Sequence, residues 1–250
     1  MSKTHLGVLV TDNGQNNQVD ISPTATCAEG VQINIYGRNN HVVIGEGTVI
    51  SGGLVEFRNH ESAVYIGADC RLAGSFRCRA RDTHIRIGDR TTIMMAHLSL
   101  HEAGTITIGE DCMLSGDITM DVSDMHSILD VETGERINPP QDIEIGDHVW
   151  LAHGVRIMKG AQIGQHSVIG SRSMVLGVIP AHSLAVGAPC CACRYHLGSS
   201  TAKSERSISI GSLCGAIGDL HYRKRRYLMA ISWGLRIDFA LLIPRKLAMR

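Results

Sequence analysis

Large rings are scarce in this chain: aromatic residues make up 4% of its 250 positions, with three Phe and two Trp. That argues against a thick core built on rings. The 27 glycines suit tight corners around a thin one. Net charge is missing as well, since 24 Lys and Arg face 24 Asp and Glu. The balance is uneven: residues 201–250 carry 10 basic against 3 acidic side chains, and residues 1–200 carry 14 against 21. The body is therefore no nucleic-acid surface, and no nucleic-acid partner is expected. No segment has the length and apolarity of a membrane-crossing helix. The opening MSKTHLGVLVTDNGQNN has no apolar run long enough for a secretory leader. Eight cysteines without a repeated spacing argue against a disulfide framework. Reduced thiols and a cytoplasmic location are expected.

A repeat of six is present. From Ile145 the chain reads IGDHVW, LAHGVR, IMKGAQ, IGQHSV, IGSRSM, VLGVIP. The first place is always aliphatic: Ile145, Leu151, Ile157, Ile163, Ile169, Val175. The fifth is small or apolar: Val149, Val155, Ala161, Ser167, Ser173, Ile179. Neither a helical nor an alternating period keeps that register, whereas a hexapeptide β-helix does. Each unit is a short strand plus a corner, and three units close one triangular coil. Residues in the first and fifth places point inward. Stacking buries each large aliphatic side chain for roughly 1.5–3 kcal/mol. Cys70 and Cys112 fall four places after the Ile of an Ile-Gly pair, so both are expected to be buried structural thiols.

Upstream, Ile-Gly pairs begin at 44, 66, 87 and 108, at spacings of 22, 21 and 21. Each coil there carries extra residues at one corner. The pieces before the pairs read strand, polar turn, strand, and the turns are expected to stack along one edge. Residues 1–20 are Asn/Gln-rich and are expected to be a loose lead-in. The β-helix is assigned to 21–197. One long excursion, 121–142, interrupts it, and long loops in compact domains are usually functional. Residues 198–212 are linker-like. The basic, apolar stretch 213–250 is expected to form one or two amphipathic helices broken at Pro244. It would pack on a neighbouring subunit or bring Arg223, Lys224, Arg225 and Arg226 to an anionic membrane face.

His126 lies in the excursion, two residues after Asp124. A neutral imidazole there can take a proton from an alcohol. From spacing alone it is equally one solvent-exposed histidine among thirteen. Trp150 is in the sixth place of its unit and points outward, as a subunit contact or as the wall of a site. His97 and His101 alternate along a strand and have no assigned role. Cys190, Cys191 and Cys193 cluster, but a thiolate metal site wants a second pair, so free thiols and no metal are expected. His148 and His153 have the interval of a zinc pair in related prisms, at the wrong places in the unit.

The run from Ile145 to Cys190 resembles the closing coils of the left-handed β-helix acyltransferases. These use acetyl-CoA and include galactoside and maltose acetyltransferases. The loop SDMHSILDVETGERINPPQD resembles the bacterial polysaccharide O-acetyltransferase branch, such as polysialic acid O-acetyltransferases. The resemblance implies an all-β, left-handed parallel β-helix with a protruding loop and a short helical tail. It implies a homotrimer with sites between subunits, acetyl-CoA as cosubstrate and a carbohydrate acceptor. His126 matches the family's catalytic His and Trp150 its Trp. Asp124 either orients the imidazole or caps a turn. The oxyanion donor would be a backbone N–H or the Trp150 indole. Contacts to the cosubstrate fall on Trp150, His153, Ser171 and Arg194. Where the family often has Thr-Lys this chain has Leu176-Gly177, so Arg172 or Lys159 would stand in for the lysine. The implied activity is O-acetylation of a sugar hydroxyl on a surface polysaccharide or its precursor. An acetyltransferase for a small xenobiotic and a non-catalytic scaffold are the alternatives.

Overall fold

Every regular element in the computed structural model is a β-strand; it describes residues 2–5 and 7–194. The linker and basic tail expected at 198–250 lie outside the described residues. The strands stack in parallel into a three-walled β-helix. One wall is a sheet of eight rungs, beginning with Gln18–Ile21 and ending with Val178–Ile179. Call it the third wall. The other two, called the first and second walls in chain order, share one sheet of 15 strands, because in the upper coils a single strand runs along the first and turns the corner onto the second. Val49–Phe57, Arg71–Cys78 and Thr92–Leu100 are such strands. Their register shifts at the bend, between Ile50 and Gly52 and between Ile93 and Ala96. The bend needs glycine. Gly53 and Gly74 have φ of +133° and +151°, and a Cβ on either would run into the backbone of the next coil, at Gly74 and Ala96 respectively.

The hexapeptide rule holds through the closing coils. Ile145, Leu151, Ile157, Ile163, Ile169 and Val175 are all buried, as are Val149, Val155, Ala161, Ser167, Ser173 and Ile179. Leu151 aligns with Ile169 and Ile157 with Val175, which is one coil per 18 residues. In the longer coils the inner positions form continuous columns. Ile33, Val55, Phe76, Leu98, Met120, Ile157 and Val175 lie one above the other on the second wall. Ile35, Phe57, Cys78 and Leu100 form the neighbouring column, where the ring of Phe57 is offset by the small Cys78. Cys70 and Cys112 are buried as expected, and burial pushes the thiols of Cys112 and Cys78 up to about 11 and about 12.

The extra residues of the upper coils form polar turns that stack on the edge between the second and third walls. Their side chains replace the missing strand bonds. Asn17 Oδ1 accepts from the Asn40 N–H, Asn40 Oδ1 from Ser62 N–H, and Ser62 Oγ from Thr83 N–H. Asn40 also donates to the Asn59 carbonyl at 2.9 Å. The corner between the third and first walls is a column of left-handed residues, Asp69, Arg90, Asp111, His148, His166 and His182, with φ of 51–58°.

Residues 8–20, expected to belong to a loose lead-in, are built into the stack. Val8–Asp12 pairs in parallel with Gln32–Ile35, and Gln18–Ile21 with His41–Ile44, so this segment is the first coil of the stack. Gly14 and Asn17 belong to its polar turn: Asp12 Oδ1 accepts from both Gly14 N–H and Asn17 Nδ2.

Candidate active site

The excursion replaces one polar turn. It leaves the second wall after Ile118–Asp121 and returns to the third wall at Ile143–Ile145. At its outer end it folds back on itself through the Leu129–Arg136 bridge. Asp130 holds the Thr-Gly turn there, accepting from Glu132 N–H at 2.9 Å and Thr133 N–H at 2.8 Å. These bonds hold its carboxyl below the usual range.

Two ion pairs and one amide fasten the loop to the coils around it. Glu102, in the polar turn one coil earlier, receives both terminal nitrogens of Arg136 at 2.6 and 2.7 Å. It also accepts from Ser123 Oγ. The guanidinium and this hydroxyl pull the Glu102 carboxyl down to about 2. On the far side, Lys159 Nζ reaches Asp124 at 2.6 Å and the Pro139 carbonyl at 3.1 Å. Asn138, 8% exposed, ties the pieces together. Its amide donates to the His126 carbonyl at 2.8 Å and to Asp124 at 3.0 Å. Its oxygen accepts from Ile128 N–H at 2.7 Å and Arg136 Nε at 3.2 Å. His126 is therefore exposed on a segment whose backbone is fixed from behind.

A pH prediction follows from Glu102. Its folded pKa is depressed, so its contribution is fully present above the ordinary glutamate range and is lost as pH falls toward about 2. The pair is partly solvated, so the global effect is small, about 0–1 kcal/mol. The local effect is larger. Hydrogen exchange at Ile128 and Ile137 is expected to speed up below about pH 4, before the coils themselves loosen, and Glu102→Gln is expected to show the same fast exchange at pH 7.

The sequence-derived candidates fall on different corners of one chain. Trp150 sits on the first wall, between Met113 and Val168. His153, Ser171 and Arg172 come together on the corner between the first and second walls, where the Arg172 N–H donates to the His153 carbonyl at 2.9 Å. All three are exposed. Arg194 lies in the antiparallel closing strand Cys191–Arg194. His126 leaves from the other edge of the second wall. No single chain brings His126 and Trp150 into one cleft.

Two expectations about these side chains change. Asp124 does not orient the imidazole; its bonds go to Lys159 and Asn138. Lys159 does not stand in for a phosphate-binding lysine at the His153 corner, because it is held against the loop on the opposite corner. The Trp150 indole N–H is screened from water and has no hydrogen-bond partner among the described residues. His148 is also apart from His153: it stacks on His166, and His166 on His182, at 5.0 Å between ring centres. Glu102, Arg136 and Asn138 were not visible as site residues. Only the Asn138 before a Pro pair carried a signal, since such a residue is held out of helical geometry.

A family profile described as bacterial transferase hexapeptide (six repeats) matches residues 142–177. The polysialic acid O-acetyltransferase of Neisseria meningitidis is 34% identical over 152 residues, covering 61% of this chain and 70% of that protein. The chain is a hexapeptide-repeat acyltransferase. Among solved structures, the polysialic acid O-acetyltransferase OatWY superposes on this hexapeptide acyltransferase with a TM-score of 0.71 at 30% identity, over 78% of this chain and 94% of that one. Galactoside O-acetyltransferase of Escherichia coli K12 is 34% identical over 110 residues, 43% of this chain and 52% of that protein.

Proposed function

We propose that this chain transfers an acetyl group from acetyl-CoA to a sugar hydroxyl of a surface polysaccharide or its precursor, with His126 as general base. The observation that carries this reading is the loop. It is pinned by Glu102, Lys159 and Asn138 so that an otherwise unpaired imidazole faces solvent at a fixed place. A loop braced on three sides around a free histidine is built to present that histidine. The relatives named O-acetyltransferases support the reaction class.

His126 and the wall of Trp150 belong to different faces, so the site is completed between subunits of a homotrimer. The loop of one subunit reaches the Trp150 wall of the next. Acetyl-CoA lies along the corner of His153, Ser171 and Arg172, where exposed backbone and a free guanidinium suit the pantetheine arm and the phosphates. Arg194 is a further candidate contact for the cosubstrate. Neutral His126 takes the hydroxyl proton as the acceptor oxygen attacks the thioester carbonyl, and then passes it to the departing thiolate. A backbone N–H or the Trp150 indole N–H supplies the oxyanion donor. The reaction needs no covalent enzyme intermediate and no metal. The protein works in the cytoplasm, and the basic residues 223–226 serve either packing on a neighbouring subunit or contact with the inner membrane face.

The test is CoA release from acetyl-CoA with and without surface glycan fractions, followed by mass spectrometry of the glycan. Acetyl esters on sugar, formed only with active protein, are expected. A chain that neither binds acetyl-CoA nor modifies any acceptor would be a scaffold. One that acetylates only small drugs would be a xenobiotic enzyme.

A further inference from the structure

Two arginines on the second wall stand out by their lack of partners. Strand alternation buries Phe76 and Cys78 and turns Arg77 and Arg79 outward. Both are half-buried. The Nε of each is screened from water and makes no hydrogen bond, and among the described residues neither guanidinium has a carboxylate partner. Nearby arginines are committed elsewhere: Arg58 to Glu56 at 3.1 Å, Arg81 to Glu61, Arg136 to Glu102, and Arg86 over the Tyr65 ring. The one buried carboxylate in the area, Glu56, is taken by Arg58. A guanidinium donor that has given up water and gained nothing is costly in an isolated fold. Two of them at i and i+2 on one face set two positive charges side by side, suited to carboxylate or phosphate oxygens, with Glu56 on the rung beside Arg77 already bound by Arg58.

Their place on the wall matters. Arg77 aligns with Ser99, and Ser99 with Asp121, the residue from which the braced loop departs. Arg79 lies beside His101, whose Nδ1 bonds Asp121 at 2.5 Å. The arginines are thus two rungs from the loop, about 10 Å at the usual strand spacing. Ser75, His97 and Ser99 line the interval as neutral hydrogen-bonding groups, and Asp121 is occupied by His101.

We propose that Arg77 and Arg79 form an anion subsite that holds the carboxylate or phosphodiester of an acidic glycan while another unit of the same glycan meets His126. The link to His126 rests on the transfer reading above; the binding itself does not.

The test uses the full chain and four probes. These are a carboxylated oligosaccharide, its carboxyl-reduced neutral counterpart, a phosphodiester-linked oligosaccharide, and inorganic phosphate. Calorimetry without acetyl-CoA comes first. Wild type is expected to bind at least one charged oligosaccharide roughly tenfold or more tighter than the neutral one. Raising the salt is expected to weaken that binding. Whichever charged probe wins names the source of the anion. Tight binding of inorganic phosphate alone, with no gain for either charged glycan, would overturn the proposal. The double variant Arg77→Gln/Arg79→Gln is expected to erase the charged-over-neutral preference, and the Lys pair to restore part of it. Equal binding of charged and neutral forms by wild type would also overturn the subsite, whatever the variants do. In turnover assays the variant is expected to raise KM for the charged acceptor far more than for the neutral one. Charge-selective binding without acetyl transfer to any acceptor would sink the transfer reading and leave the subsite standing. Transfer without charge selectivity would do the reverse.

Discussion

Replacing His126 with alanine is expected to lower kcat by roughly 10²–10⁴-fold, the usual worth of a positioned general base. The KM for acetyl-CoA is expected to stay within about twofold, since the imidazole acts on the acceptor hydroxyl and not on the nucleotide. The fold is expected to survive, because the ring is exposed and makes no hydrogen bond among the described residues; a surface change of this kind moves stability by about 0.5 kcal/mol or less. Stopped-time measurement of CoA release at saturating acceptor separates the outcomes. A variant within about tenfold of wild type would remove the base from His126. The loop brace offers an independent check: Asn138→Leu leaves the imidazole in place but frees its backbone, so kcat is expected to fall while the exposed ring remains reactive to diethyl pyrocarbonate.

The largest loss of stability is expected from Phe57→Ala, about 3–5 kcal/mol. Phe57 is fully buried, and its column neighbours are Ile35 and Cys78. The small Cys78 makes room for the ring on one side, so deleting the ring leaves a gap that neither rung can close. In a stacked array each coil leans only on its neighbours, and the damage is expected to be local. Urea unfolding followed by hydrogen exchange should show residues 8–57 opening first, with the hexapeptide coils at 143–179 still protected. A loss below about 1 kcal/mol would mean that the coil collapses around the gap.

The period of six in Ile145–Pro180 was legible because the inner positions admit only aliphatic or small residues. The same rule placed Cys70 and Cys112 inside. The upper coils were legible through their repeated Ile-Gly pairs, although nothing in the letters says that one strand turns two walls at Gly52 and Gly53. Residues 1–20 misled because their turn is rich in Asn and Gln. Here those polar side chains complete the ladder that strands cannot, and Asn17 does for the first coil what Asn40 does for the second. The position of His126 in the loop was legible, but its support was not. Glu102 and Arg136 are 34 residues apart, and only the stacking of coils makes them neighbours. Asp124 and Lys159 meet for the same reason. The turned-in Trp150 N–H had no sequence signal, because outward placement in a unit fixes the face and not the rotation of the ring.

The strands on either side of the loop ignore its length. Ile106 and Ile108 pair with Ile143 and Ile145 across a step of 37 residues in the same register that earlier rungs keep across 21. The loop that carries His126 is therefore an interchangeable cartridge. It can lengthen, shorten or change its clamps without shifting a single inner residue. A lineage built this way would acquire new acceptors by exchanging cartridges while its spindle of aliphatic rungs stayed as it was.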